Sequence, residues 1–427
     1  MTDTAQGTGL QDRANGTAPR MGAGALFKAG SRLPPDIRRV LVARSLRAFG
    51  DGHVAILLPV HLSRLGYNAF GVGLLSTVSL LGSALLTLAL GLVAYRIQRR
   101  RALLAAGLLM AATGLGFAGI EAFWPLLVIA FVGTLNPSGG DVSIFLPLEH
   151  TVLSHVVADE ERTAAFARYS FVGAFFGALG ALSVGMVDWL APLVAPAATV
   201  TALFGLYAAI GLLTFLLYRD LSPRVEVGTD NPPVPLGPSR GIVYRLAALF
   251  SVDAFGGGLV INALLTIWLS ERFGISIGTI GAIFFVTSLC SALSYFAAVP
   301  LAKRFGLINT MVFTHLPSSV FLILTAFAPT IWIAFGLLIL RSLLSQMDVP
   351  TRSSYVMAVV QPEERPAAAS VTAVPRSLAS AVAPLLSGWL LTVSPFGWPL
   401  VLAGTLKAAY DLTLLWQFSA IKPPEER

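Results

Sequence analysis

Cysteine, histidine and charge are all scarce in this chain. Its one cysteine, Cys290, sits in an apolar stretch, so no intramolecular disulfide can form and a structural zinc cluster is not expected. The five histidines show no metal-ligand spacing, and neither a Walker-type phosphate loop nor a nucleophile motif occurs. These absences argue against a metal site, a cofactor, an ATP-driven engine and an enzyme. Charged residues make up 12% of the chain against 55% hydrophobic, with a mean hydropathy of +0.76 over 427 residues, which excludes an ordinary soluble surface. A net charge of +7 would suit a nucleic acid, but the basic residues gather at the ends of apolar runs and in the short loops between them. There they read as a membrane topology signal, so a lipid bilayer and no nucleic acid is the expected surrounding.

Apolar runs of roughly 20 residues, enough to cross about 30 Å of hydrocarbon, can be drawn twelve times. They begin near Val40, Val72, Ala102, Trp124, Ala164, Ala197, Leu246, Thr279, Ile308, Ile331, Ala367 and Trp398. The fourth and tenth are overlong and carry interior prolines, which predicts a kink or tilt in each. Residues 1–36 are polar and of low complexity and read as a disordered tail. Residues 219–245 hold five prolines and read as an irregular linker between two helical bundles, 37–218 and 246–420.

Lysine and arginine counted loop by loop fall almost wholly on one side, with Arg64 and Arg272 alone in the opposite loops. By the positive-inside rule both termini are cytoplasmic, in the inner (plasma) membrane of a cell. Trp124, Trp189, Trp268, Trp332, Trp389 and Trp398 then all fall at outer helix ends, as an interfacial belt would place them.

The chain is also written twice. Residues 147–162, PLEHTVLSHVVADEER, return 203 positions later as PTRSSYVMAVVQPEER, with six of sixteen positions identical, and Leu182/Leu385 and Gly185/Gly388 keep that register. An earlier segment repeats at an offset of 208, where Arg64, Gly66, Gly73, Ala94 and Arg96 meet Arg272, Gly274, Gly281, Ala302 and Arg304. Repeats this long are duplicated half-proteins and not solenoid units.

Twelve spans in two repeats joined by a linker resemble the major facilitator superfamily, over about residues 37–420. The family's loop between helices 2 and 3 reads roughly G-x-x-x-D-R-x-G-R-R. Gly91, Arg96, Arg99 and Arg100 fit it, while Tyr95 stands at the acid and Gln98 at the second glycine. Gly173, Gly177 and Gly180 on helix 5 are similar to the glycine-rich motif of the family's antiporters but lack its proline, and close helix packing explains them as well. The resemblance implies an all-α membrane protein of twelve transmembrane helices in two pseudo-symmetric six-helix bundles, with helices 1, 4, 7 and 10 lining a central cavity.

A charge at the bilayer centre costs about 2.5–3.5 kcal/mol on insertion scales, so intramembrane charges face water, a partner, or both. Nine such residues lie on helices 1, 4, 7 and 10. On helix 1, Arg44, Arg47 and Asp51 share a face, as do Arg341, Asp348 and Arg352 on helix 10. By depth, Arg47, Asp51, Asp141, Asp253, Arg341 and Asp348 are the candidate substrate and proton cavity, whereas Arg44, Glu149, Arg168 and Arg352 are candidates for an inner gate, with Glu149 pairing across the halves to its repeat equivalent Arg352. Lys407 and Asp411, one turn apart on peripheral helix 12, read as a structural pair, and His53, His61 and His315 as packed histidines, leaving His150 as the one to test.

The expected function is secondary active transport of a small molecule by alternating access, working as a monomer, with proton-coupled efflux by antiport as the leading mode. Proton-coupled uptake of an organic anion, engaging Arg341 and Arg47, is one alternative. A non-transporting receptor or scaffold is the other. The expected proton carriers are Asp51, Asp141 and Asp253, in that order.

Overall fold

A computed structural model describes residues 34–93, 97–139, 144–156, 159–226 and 236–419. The expected tail lies outside the described residues as far as residue 33. Among the described residues there are sixteen α-helices and no strands. The N-terminal half contains α1 (Pro35–Arg64), α2 (Ala69–Val93), α3 (Arg99–Gly119), α4 (Phe123–Val132), α5 (Phe145–Val156), α6 (Asp159–Ser183), α7 (Met186–Leu190) and α8 (Pro196–Arg219). The C-terminal half contains α9 (Arg240–Gly258), α10 (Asn262–Phe273), α11 (Ile277–Phe305), α12 (Leu307–Ala326), α13 (Ile331–Leu344), α14 (Asp348–Val359), α15 (Arg365–Val393) and α16 (Trp398–Phe418).

Joining α4 to α5, α6 to α7, α9 to α10 and α13 to α14 gives twelve passages, with both chain ends on one side, here called the termini side. Eight helical segments among the described residues are long and apolar enough to span a bilayer, nine if the bent pair α9/α10 counts as one. The passages that miss this measure, through α1, α4/α5 and α16, carry Arg44, Arg47, Asp51, Glu149, Lys407 and Asp411.

Both overlong runs are broken as proline chemistry requires. Pro350 sits in the first turn of α14, where a missing N–H costs nothing, and the α-helix is interrupted by a turn just before it, at 345–347, with Ser345 and Met347 keeping right-handed dihedrals. The α4/α5 passage breaks after Gly133 and runs through Pro137, with Asn136 Oδ1 accepting from the Ser138 amide (3.1 Å) and hydroxyl (2.6 Å). Gly139 at φ 69° occupies a backbone region hostile to side chains, and a Cβ there would stand 2.3 Å from Asn262 Nδ2. At the expected linker, α9 begins at Arg240, and residues 227–235 lie outside the described set.

The halves close on each other away from the termini. A Cβ on Gly73 of α2 would stand 2.4 Å from the Pro384 carbonyl oxygen, one on Gly388 of α15 2.5 Å from that of Ala69, and one on Gly281 of α11 2.5 Å from that of Ala181. Backbone therefore meets backbone, which only small residues permit. The Phe70 amide donates to Thr392 Oγ1 (3.0 Å) and the Ala263 amide to the Pro137 carbonyl (3.2 Å). Asp188 Oδ2 accepts from the Gly278 amide (2.7 Å) in the first turn of α11, where a carboxylate also favours the helix dipole. Removing this latch by Asp188→Ala should cost the closed state about 1 kcal/mol, shifting the balance toward far-side opening roughly fivefold. Thiol labelling of a cysteine placed at Ser276 reads the shift; unchanged labelling would show that the latch does not bias the halves.

The tryptophan belt needs one correction. Trp124, Trp189, Trp332, Trp389 and Trp398 are exposed, as lipid-facing residues must be, but Trp268 is 1% exposed and packs edge-on against Phe273. It is core, and Trp416, at the other end of the molecule, is exposed.

Candidate functional site

Two buried charge networks form, one in each half. In the N-terminal half Glu149 of α5 is fully buried and takes three donors: the Arg47 guanidinium of α1, Tyr169 Oη of α6 (2.5 Å) and Tyr218 Oη of α8 (2.5 Å). Arg47 lies over the Phe145 ring at 4.0 Å, and its Nε and Nη1 are buried without hydrogen-bond partners among the described residues. Arg44 reaches over Tyr169 (5.0 Å) and fills the space left by Gly173, where a Cβ would stand 2.2 Å from its Nη2. Gly180 likewise lets α6 approach α1, its Cβ position being 2.0 Å from the Phe49 carbonyl oxygen. Two of the three helix 5 glycines thus serve close packing directly, and the third, Gly177, is itself the backbone against which Gly52 lies. Half-buried Asp51 and the Thr134 carbonyl (3.1 Å) are both within reach of the Tyr207 hydroxyl, which has one proton to donate between them.

In the C-terminal half Asp253 of α9 is the hub. Its Oδ2 accepts from Arg352 Nη1 of α14 (3.0 Å) and its Oδ1 from Lys407 Nζ of α16 (2.6 Å), with His315 Nε2 of α12 at 3.6 Å. Arg352 also meets Asp348 one turn earlier (3.4 Å), and His315 Nδ1 lies 3.0 Å from both oxygens of Asp411. Asp253, Asp348, Arg352 and His315 are each at most 5% exposed, and Asp411 is fully buried. Arg376 of α15 shares the electrostatic neighbourhood of Asp253, Asp348 and Arg352, but among the described residues it has no hydrogen-bond or ion-pair partner.

Arg47 and Glu149 are therefore brought together, as are Asp253, Asp348 and Arg352, while Arg341 stands apart from both networks. Arg168 is half-buried on α6. Asp141 and Arg96 lie outside the described residues. Glu149 and Arg352 each bind partners in their own half. Here α5 packs on α1, α3 and α6, whereas α14 packs on α11, α12 and α15.

Lys407 does not spend its charge on Asp411, as their spacing suggested. It reaches Asp253, while Asp411 takes His315, so both residues and the histidine belong to the hub. Tyr169, Tyr207 and Tyr218 were also missed, because a lone tyrosine in an apolar helix carries no sequence signal of a buried acid partner.

In the loop before α3 the structure supplies a carboxylate from an unexpected place. Glu226, in the linker, accepts from the backbone amides of Arg99 (2.8 Å) and Arg100 (2.9 Å), satisfying free donors at the helix N-terminus. Arg99 adds a bond to the Val225 carbonyl (3.2 Å), and the Arg100 side chain bonds the Arg219 carbonyl. Gly91 lies within α2.

Two stretches of the chain, residues 40–251 and 246–427, each match the sequence profile of the Major Facilitator Superfamily. The chain belongs to the Major Facilitator Superfamily. An uncharacterized membrane protein of Saccharomyces cerevisiae is 24% identical to it over 432 residues, covering 92% of this chain and 96% of the yeast protein. The chain is also similar in fold to the nucleoside transporter NupG (TM-score 0.68, 14% identity, covering 90% of this chain and 98% of NupG). A bacterial homologue of the iron transporter ferroportin in an inward-facing state is similar as well (TM-score 0.71, 14% identity, 90% and 99%). At such identities the likeness is one of fold. This member of the superfamily is a multi-pass membrane transporter of a small molecule and not an enzyme.

Proposed function

We propose that this transporter moves a small organic anion together with protons by alternating access, with Asp253 as the proton carrier. The observation that carries the reading is the sharing of Asp253 between two cations, Lys407 and Arg352. An anion that takes those cations strips Asp253 of its counter-charges, and a buried carboxylate so exposed is stable only when protonated. Anion and proton therefore favour each other's binding, which is the linkage of symport. A cationic substrate would compete with the proton for Asp253 and give antiport instead. At the hub Arg352 and Lys407, with Arg376 nearby, are matched in number by Asp253, Asp348 and Asp411, whereas Arg341, apart from the hub, has no acid partner among the described residues. That unmatched cation gives anion symport stronger support than proton antiport, the mode favoured by the glycines of helix 5.

Alternating access is supported by the seam on the far side, and Glu149 and Arg352, each held in its own half here, would exchange their present partners for one another when that seam parts. With the termini cytoplasmic in the plasma membrane, as the arginine distribution requires, the far side is the outer side and the closed seam is the outer gate. Asp51, Arg47 and Arg341 remain the cavity candidates beside the hub, with Arg44 and Arg168 near the inner gate.

Proteoliposomes holding the purified protein and an internal pH dye separate the modes. Under an imposed gradient of small carboxylates or phosphate esters, symport acidifies the compartment that the anion enters. Alkalinisation of that compartment would establish antiport, and silence toward every anion while the protein remains folded would remove the anion reading.

A further inference from the structure

A polar cavity of about 170 Å³ lies inside the C-terminal half, walled by α9, α12, the α13 end and α16. Its charged lining is Arg341, Lys407 and His315, and its neutral polar lining Ser318, Ser319, Ser345 and Gln346. Among the described residues no carboxylate lines it. Lys407 and His315 turn their acids, Asp253 and Asp411, toward the hub, whereas the Arg341 guanidinium has no hydrogen-bond or ion-pair partner among the described residues. An arginine within a membrane-spanning helix needs a counter-charge or water, and this one faces a cavity built of donors.

Gly257 of α9 closes the cavity thinly: a Cβ there would still be 3.8 Å from Lys407 Nζ, so the ammonium is left uncovered. The volume is close to that of a cavity which admits benzene.

We infer that this cavity is the seat of the transported anion, and that it selects a compact oxyanion of about benzene size, a carboxylate or phosphate gripped by Arg341 and steadied by Lys407. The planar fork of Arg341 can take two oxygens of either group, which the point charge of a lysine cannot. The serine hydroxyls and Gln346 offer the remaining oxygen donors. Occupation draws Lys407 away from Asp253, so the cavity is where anion binding is transmitted to the proton carrier. This deepens the symport reading and rests on it for the word transported, but the binding itself can be measured without transport.

The full-length chain in detergent is titrated by calorimetry and thermal shift with inorganic phosphate, acetate, benzoate and 2-naphthoate, for wild type, Arg341→Gln, Arg341→Lys and Gly257→Val. Benzoate or phosphate is expected to bind wild type and raise its melting temperature, with 2-naphthoate at least tenfold weaker because the cavity is too small. Arg341→Gln should weaken binding by about tenfold or more, since a charge-assisted bond is lost, and Arg341→Lys should recover part of it. Gly257→Val, which removes no charge though its side chain lies against Lys407, should exclude benzoate by filling the space. No shift with any probe overturns the inference, as does binding to Arg341→Gln and Gly257→Val within twofold of wild type. Binding that depends on Arg341 without proton movement in liposomes would keep the site and remove the symport reading; proton-coupled transport indifferent to Arg341 would do the reverse.

Discussion

Asp253→Asn is expected to abolish proton-driven accumulation while leaving substrate exchange at equal pH intact. The asparagine keeps the size of the side chain, but its single carbonyl oxygen can replace only one of the two carboxylate oxygens that accept from Arg352 and Lys407, so the melting temperature in detergent is read beside transport to show that the hub stays folded. The asparagine cannot take up and release a proton. With one proton per anion, a gradient of one pH unit sustains about tenfold accumulation, and the variant should fall to an even distribution. Exchange needs no net proton movement and should survive. Accumulation at the wild-type ratio would place coupling elsewhere, with half-buried Asp51 and its Tyr207 partner next in line. Asp253 moves ahead of Asp51 here because three cationic or protonatable groups converge on it, whereas Asp51 sits one turn from an Arg47 already committed to Glu149.

Glu149→Gln should be among the most destabilising single changes in the molecule. Arg47 is 1% exposed and Glu149 is fully buried, so the substitution strands a buried guanidinium, at about 3–5 kcal/mol. Tyr169 and Tyr218 lose a charged acceptor as well. The melting temperature in detergent should fall steeply, and replacing both partners together, Arg47→Met with Glu149→Leu, should recover much of the loss because no charge remains unpaired. An unchanged melting temperature for Glu149→Gln would mean that the pair carries no such strain. The proposed inner-gate role is read separately: cysteine labelling of the cavity from each side should change in Glu149→Gln if Glu149 and Arg352 meet in the other conformation, and stay fixed if they never do.

Of the three glycine pairs that mark the repeat in the sequence, two are where the halves meet, while Gly66 and Gly274 turn the chain at positive φ. Gly73 and its equivalent Gly281 lie on the seam, and so do Gly388 and its equivalent Gly185, which approaches Gly278. Both seams need backbone contact, so both copies of the sequence show glycine, and the symmetry becomes legible. Helix number was legible because hydropathy reports length, and the helix breaks because Pro137 and Pro350 cannot continue a hydrogen-bond ladder. Helix starts were placed up to six residues late, at Val40 and Leu246, since polar first turns such as that of α1 and α9 extend beyond the apolar run.

Partners were less legible than faces. Helical spacing identifies which residues share a stripe, but Lys407 and Asp253 are 154 positions apart and nothing local joins them. The one-turn spacing of Lys407 and Asp411 offered a nearer partner and concealed the true one. Glu226 was hidden differently: it is one acid in a proline-rich stretch, and its role depends on the chain folding back to the start of α3. Trp268 satisfied the belt by its position along the helix, while the direction of its ring is set by Phe273 and the surrounding core.

The glycine seam also determines how sharply the molecule can switch. Where Gly73, Gly281 and Gly388 meet backbone across it, the glycines have no side chain that could stretch to bridge a partial gap. Dispersion between backbone atoms loses a quarter to a half of its depth over about 0.5–1 Å, and the three short bonds from Phe70, Ala263 and Gly278 fail over a similar distance. Once the halves part by one ångström, these bonds and up to about half of the attraction at the glycine contacts are lost together. Intermediate openings are thus poorly populated, and a single molecule followed by a distance probe across α2 and α15 should jump between two levels and not drift between them.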